Sequence, residues 1–113
     1  MTDATTEFFE QLEERGHEPV LEKSTGTVRF DIKDGKRTAR WVVAIQKGDV
    51  TVSRRNAAAD CVVRADKALF DDMTTGRANP MAALLRGAVS AEGDVGLMAS
   101  FQRLFPGPPR RKS

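Results

Sequence analysis

The chain has 113 residues, 40% of them hydrophobic and 30% charged, with a formal net charge of +2 at neutral pH. About 45 apolar side chains can furnish one core and not two. No apolar run reaches the roughly 18 residues needed to cross a bilayer, and the acidic start Thr2-Asp3-Ala4 lacks the basic n-region of a secretory signal, so a single cytoplasmic domain is expected. One cysteine, Cys61, and one histidine, His17, rule out an internal disulfide framework and a His/Cys metal cluster.

Charge is graded along the chain. Residues 1–22 hold seven acids against Arg15, a net −6, whereas the last eleven hold Arg103, Arg110, Arg111 and Lys112 with no acid, a net +4. A nucleic-acid-binding face would gather basic residues with aromatics for base stacking. Here tyrosine is absent and the other aromatics fall at core spacings, so no nucleic-acid partner is expected.

The first element, Thr6 to Arg15, places Phe8, Phe9 and Leu12 together with Glu7, Glu10, Glu13 and Glu14 outward, and Gly16 stands where a C-terminal cap falls. From Gly26 the period drops to two: Val28, Phe30 and Ile32 alternate with Arg29, Asp31 and Lys33 before the Asp34-Gly35 turn signal. Thr38 to Gln46 has Trp41, Val43 and Ile45 on one face and Val42 and Ala44 on the other, the pattern of a covered central strand. Lys47-Gly48-Asp49 turns the chain into Val50 and Val52, and after the Arg54-Arg55-Asn56 corner Cys61, Val63 and Ala65 alternate again. Four consecutive strands with tight turns predict an antiparallel meander.

Helical spacing returns after Arg64. Asp66 is the predicted N-cap of a helix grouping Leu69, Phe70 and Met73, which Gly76 stops; Asn79-Pro80 opens a second, with Met81, Leu84 and Leu85 on one side, ending at Gly87. Ala88 to Glu92 reads as a further strand, and Asp94 caps a last helix whose stripe Leu97, Met98, Phe101, Leu104 and Phe105 runs to Pro106. Helix, sheet and then helices make an α+β layered domain over residues 1–105. The proline-rich basic end, residues 106–113, is predicted to be a disordered tail.

Catalytic chemistry finds little support. His17 lies in a solvated loop beside Gly16 and Pro19, and Cys61 has no cationic neighbour in its strand to lower its pKa. Asp71-Asp72 and Glu13-Glu14 are adjacent pairs, whose side chains diverge by about 100° on a helix, so both read as solvating charges. No phosphate-loop or dinucleotide fingerprint is present, and Thr74-Thr75-Gly76-Arg77 reads first as a loop between helices. No catalytic residue, cofactor or metal is expected. The large flexible side chains Phe70, Met73, Met81, Met98, Phe101 and Phe105 either fill a core or line an adaptable apolar cavity.

The order of these elements resembles the sterol carrier protein 2 (SCP2) sterol-binding domain family. The resemblance is carried by the strand ending at Asp34-Gly35, by Trp41-Val42-Val43-Ala44-Ile45, by Gly48-Asp49-Val50-Thr51-Val52 and by Ala59-Asp60-Cys61-Val62-Val63. It continues through Phe70-x-x-Met73-x-x-Gly76-x-x-Asn79-Pro80, Gly87, and Gly93-Asp94 with Leu97, Phe101 and Leu104-Phe105 behind. It implies a five-stranded, mostly antiparallel sheet covered on one face by helices, with an apolar cavity between them for a fatty acid, fatty acyl-CoA or sterol-like ligand. By the same resemblance Trp41 and Val43 floor the cavity, Phe70 and Met73 form one wall, Met81, Leu84 and Leu85 another, and Met98, Phe101, Leu104 and Phe105 the closure. Arg77 or Arg86 is then a candidate for the ligand's head group.

The chain ends Arg111-Lys112-Ser113 rather than in the peroxisomal tripeptide common in eukaryotic members of that family. Twelve arginines against six lysines in an alanine-rich chain match a GC-rich bacterial composition, which favours a fatty acyl ligand over a sterol. The expected role is non-enzymatic lipid binding or transfer, with the basic tail touching an anionic membrane during exchange. The alternative is an accessory module of the same fold whose cavity is filled by side chains and which serves a partner enzyme. The oligomeric state is open.

Overall fold

The computed structural model describes residues 3–55 and 57–106; Asn56 and all but the first residue of the tail predicted over 106–113 lie outside them. The chain opens with helix α1 (Ala4–Arg15), whose first turn is capped by the Asp3 carboxylate accepting from the Thr6 amide at 2.7 Å and whose end is closed by left-handed Gly16. A short 3₁₀ turn, Pro19–Leu21, leads to strands β1 (Thr25–Asp34), β2 (Arg37–Gln46) and β3 (Asp49–Ser53). Asp34 pairs with Arg37 and Gln46 with Asp49, so both hairpins turn on two residues. The second uses Lys47 and Gly48, both at positive φ, the conformation whose twist matches the flanking strands.

The predicted meander holds for these three strands and fails at β4 (Cys61–Asp66). The sheet order is β3-β2-β1-β4-β5, with β4 parallel to β1 and every other pair antiparallel. The end of β3 pairs at Val42, opposite Arg29, while β4 begins beside Val28. The connecting segment therefore crosses the sheet sideways by three strand spacings, about 14 Å, instead of doubling back. The Arg29 guanidinium holds this segment at the Ala57 carbonyl (3.2 Å), and the Asp60 amide bonds the Thr27 carbonyl (2.9 Å). The covered reading of β2 is right in placement, since it lies between β3 and β1, although Ala44 is exposed.

Helices α2 (Lys67–Thr74) and α3 (Pro80–Leu85), edge strand β5 (Ser90–Gly93) and helix α4 (Val95–Phe101) complete the domain. The Asn79 and Asp94 side chains cap α3 and α4 as predicted. Asp66 has the extended backbone of a cap residue, but its side chain makes no capping bond; it lines an outer cleft with Lys33, Arg40 and Arg64. The last helix is shorter than its stripe implies. It passes at Gln102–Leu104 into a 3₁₀ turn and Phe105 is extended, because Pro106 disfavours helical geometry in the residue before it.

All helices lie on one face of the sheet. Val28, Phe30 and Ile32 of β1, Trp41, Val43 and Ile45 of β2, Val50 and Val52 of β3, and Cys61, Val63 and Ala65 of β4 point into this single core. The opposite face carries Arg29, Asp31, Arg40, Thr51, Arg64 and Glu92.

Candidate functional site

Between helices and sheet lies an aromatic layer. Phe9, in the buried stripe of α1 between Thr5 and Leu12, stacks on Trp41 (ring centroids 4.7 Å apart) and on Phe70 (5.6 Å) and tilts against Phe30 (5.3 Å). Phe101 meets Phe30 at 4.9 Å, and Phe105 stacks on Phe8 at 4.9 Å. Phe9, Phe30, Phe70 and Phe101, with Met73 and Met98, are fully buried among one another and the strand side chains.

Of the residues predicted to line a cavity, Trp41, Val43, Phe70, Met73, Met98, Phe101 and Phe105 converge here, and Leu84 and Leu104 pack against the layer from its margin. Met81 is half-buried. Leu85 is not brought in; it is 85% exposed. The buried stripe of α3 runs through Pro80, Ala83 and Leu84, so the helix is rolled by one position from the expected face. Arg77 and Arg86 are both exposed on the loops flanking α3. The hydroxyls of Thr74 and Thr75 turn back onto the Asp71 carbonyl instead of outward.

A cleft of about 320 Å³ opens at one end of this layer, beside the β1–β2 turn and the N-terminus of α1. Its apolar lining is Ile32, Ala39 and Trp41; Arg37, Arg54 and Lys67 supply positive charge, balanced by Asp3 and Asp34. The Arg54 side chain lies over the indole of Trp41 and donates to the Arg40 carbonyl at 3.2 Å. Sequence reasoning missed Phe9, Arg37, Arg54 and Lys67 as members of this site. Only Phe9 had a signal, the apolar face of α1, because the cationic three come from separate elements.

One carboxylate ties the mouth together. Asp71, expected as a solvating charge, accepts from the Thr5 amide (3.0 Å), the Thr5 hydroxyl (2.6 Å) and the Lys67 ammonium (2.8 Å), fixing α1 on α2. Burial raises its pKa, but the bonds from Lys67 and Thr5 outweigh this and hold it below the usual carboxylate value. Its bond to Asp71, with the charges of Asp71 and Asp3, in turn raises the pKa of Lys67. Asp3 is held low chiefly by its bond from the Thr6 amide.

Among the described residues the site brings together no nucleophile and base. Cys61 is fully buried, and burial followed by the nearby Asp94 charge pushes its thiol up, away from the reactive thiolate. His17 is engaged at the other end of the domain, its Nδ1 2.8 Å from an Asp49 carboxylate oxygen. Among the described residues no group of His, Cys, Asp or Glu side chains is placed to hold a metal ion, and no helix is long and apolar enough to cross a membrane.

Comparison with known proteins agrees with this architecture. The solved apo structure of sterol carrier protein 2 from Yarrowia lipolytica superimposes with a TM-score of 0.75 at 18% identity, covering 92% of each chain. The solution structure of palmitated SCP2L2 from Aedes aegypti does so at 0.70 and 19% identity, covering 97% of this chain and 100% of that one. Among curated proteins, hydroxysteroid dehydrogenase-like protein 2 of Xenopus tropicalis is 26% identical over 101 residues, which are 88% of this chain and 24% of that protein. The chain thus spans about a quarter of the length of the curated relatives it matches. The model of the SCP-2 sterol transfer family matches residues 7–106, nearly the whole described fold, and the chain belongs to that family.

Proposed function

We propose that the domain is a non-enzymatic lipid carrier that takes one apolar chain, a fatty acid or fatty acyl-CoA in preference to a sterol, between the helices and the sheet. The observation that carries this reading is the cleft ending on Trp41 and Ile32, where a cationic rim meets the margin of the aromatic layer. Such a rim suits a carboxylate or phosphate head, and the layer behind it suits the chain. Each methylene leaving water contributes about 0.8 kcal/mol, so a long chain binds without polar contacts along its length.

The aromatic layer is occupied by its own side chains, so the ligand enters by displacing them. Phe70, Met73, Met98 and Phe101 are suited to this: they are unbranched at Cβ, and the two methionines add flexible thioethers that repack at low cost. Leu84, Leu104 and Met81 at the margin complete the lining. Likeness to a protein described as palmitated supports an acyl chain as the ligand class. The head group is assigned to Arg37, Arg54 and Lys67 in place of Arg77 and Arg86, which stand apart from the cleft.

Trp41 is the only tryptophan and lines the cleft, so its emission reports binding directly. Titration with palmitate, followed by native mass spectrometry, is expected to give a saturable change in emission and one added palmitate mass per chain. Unchanged emission together with no adduct overturns the reading. A second reading has its own support: in the Xenopus relatives the matching segment is about a quarter of a protein named for dehydrogenase likeness. On that reading the domain of this chain is an accessory module to an enzyme, with the layer permanently filled, and the same titration returns nothing.

A further inference from the structure

The face of the sheet turned away from the helices holds a second concave feature, a cleft of about 350 Å³ lined by Asp31, Lys33, Thr38, Arg40, Arg64, Ala65, Asp66 and the loop residues Gly87, Ala88 and Ser90. Asp31 of β1 is at its floor with only 11% of its side chain exposed, and three guanidinium groups from three adjacent strands converge on it. Arg29 pairs with it at two points, its Nε and Nη2 bonded to the two carboxylate oxygens at 3.1 and 3.3 Å. Arg40 and Arg64 approach only to 3.7 and 3.9 Å, beyond hydrogen-bond reach, and both are nearly half exposed. Arg64 also gives one N–H to Glu92 (2.8 Å) on β5.

A carboxylate already paired in two-point fashion attracts the next two arginines without using up their donors. It acts as an anchor that points two forks, with the Lys33 ammonium beside them, into one hollow. Arginine forks match phosphate oxygens two at a time, and a compact dianion offers enough acceptors for both. The exposed Asp66 and Glu92 at the margin offset part of this positive charge, so preference for phosphate over a spherical anion such as chloride rests on the two forks matching its oxygens.

We propose that this outer cleft binds a phosphate monoester group through Arg40, Arg64 and Lys33, with Asp31 and Arg29 as positioning residues. The cleft opens on the outer face of the sheet, meeting the inner one only at its edge through Ala65 and Thr38, and does not depend on a lipid occupying the apolar layer. The group has two sources, a soluble phosphate compound or a phosphatidic-acid head group in a membrane.

The test is titration of ¹⁵N-labelled full-length protein with inorganic phosphate and with phenyl phosphate, following the arginine Nε–H resonances, in low salt. Arg40 and Arg64 are expected to shift and saturate together with Arg103 unmoved, and Arg40→Gln or Arg64→Gln to weaken the interaction about tenfold, as the loss of a charge-assisted two-point contact implies. Arg40→Lys keeps the charge but loses the fork, and is expected to weaken it as well. Co-sedimentation with phosphatidylcholine vesicles, with and without phosphatidic acid, separates the sources. Binding abolished by Arg40→Gln and competed by phosphate assigns the membrane lipid; saturable phosphate binding without co-sedimentation assigns the soluble compound. Shifts that never saturate, that move Arg103 equally, or that survive both glutamine variants with their circular dichroism unchanged overturn the site.

Discussion

The Arg54 guanidinium lies over the Trp41 ring, 4.1 Å from its centroid, while Phe9 stacks on the same indole. A cation over an aromatic face that is itself packed in the core is held at the boundary between the apolar layer and water. If Arg54 grips the ligand's charge, Arg54→Gln is expected to weaken palmitate binding about tenfold and to leave binding of an uncharged C16 alcohol nearly unchanged, both read from Trp41 emission. Equal losses for the two ligands contradict the head-group assignment.

Asp71 makes a prediction with a pH sign. Its three bonds from Thr5 and Lys67 pin α1 to α2, so Asp71→Ala is expected to cost about 2 kcal/mol in chemical unfolding, the range for bonds to a charged group. The folded-state pKa values of Asp71 and Asp3 lie below the ordinary 3.8, so the stability they contribute is present above that value and is lost as pH falls below it. The gap in urea midpoint between the native chain and Asp71→Ala should therefore be constant from pH 7 to 5 and narrow near pH 3. A constant gap down to pH 3 contradicts the account.

Gly93 has φ 94°, and a Cβ there would lie 2.2 Å from the Asp60 carbonyl oxygen, the acceptor that also ties down the Asp94 amide. Gly35, at φ 63°, has open space around it. Gly35→Ala is expected to cost about 1 kcal/mol from backbone strain alone. Gly93→Ala should cost distinctly more, because backbone must move, and thermal melting of the two variants gives the comparison. Similar melting temperatures would show that the crossing segment yields freely.

Phe101 touches Phe8, Phe30 and Phe105 and has no exposed surface. Phe101→Ala is expected to cost about 3–5 kcal/mol in the ligand-free chain, as removal of a buried ring does. The void it leaves enlarges the proposed lipid space, so saturating palmitate should raise the melting temperature of the variant by more than that of the native chain. An equal rise in both argues that the acyl chain lies elsewhere.

Much of the fold was legible because it depends on local signals. The period-two run from Val28 to Ile32, the Asp34-Gly35 and Lys47-Gly48 turns, and the Asn79-Pro80 and Asp94 caps each declare an element within a few residues. The parallel seating of β4 on β1 was not, since it is decided by where the segment between Ser53 and Cys61 crosses the sheet and is held by Arg29 and Thr27, contacts remote in sequence. The site divides in the same way. Phe70, Met73, Met98 and Phe101 follow from helical spacing, whereas Leu85 faces outward because α3 is rolled by one position. Arg37, Arg54 and Lys67 meet only after three elements have packed, and no spacing along the chain relates them.

Whether an acyl chain lies between the helices and the sheet is tested most directly by NMR of the full chain with ¹³C-labelled palmitate, recording contacts from the palmitate methylenes to protein methyls. One bound palmitate with contacts to the Met73 and Met98 methyls, both buried in the free protein, is the predicted result. Contacts confined to exposed groups such as Leu85, or palmitate signals identical to those without protein, would contradict it.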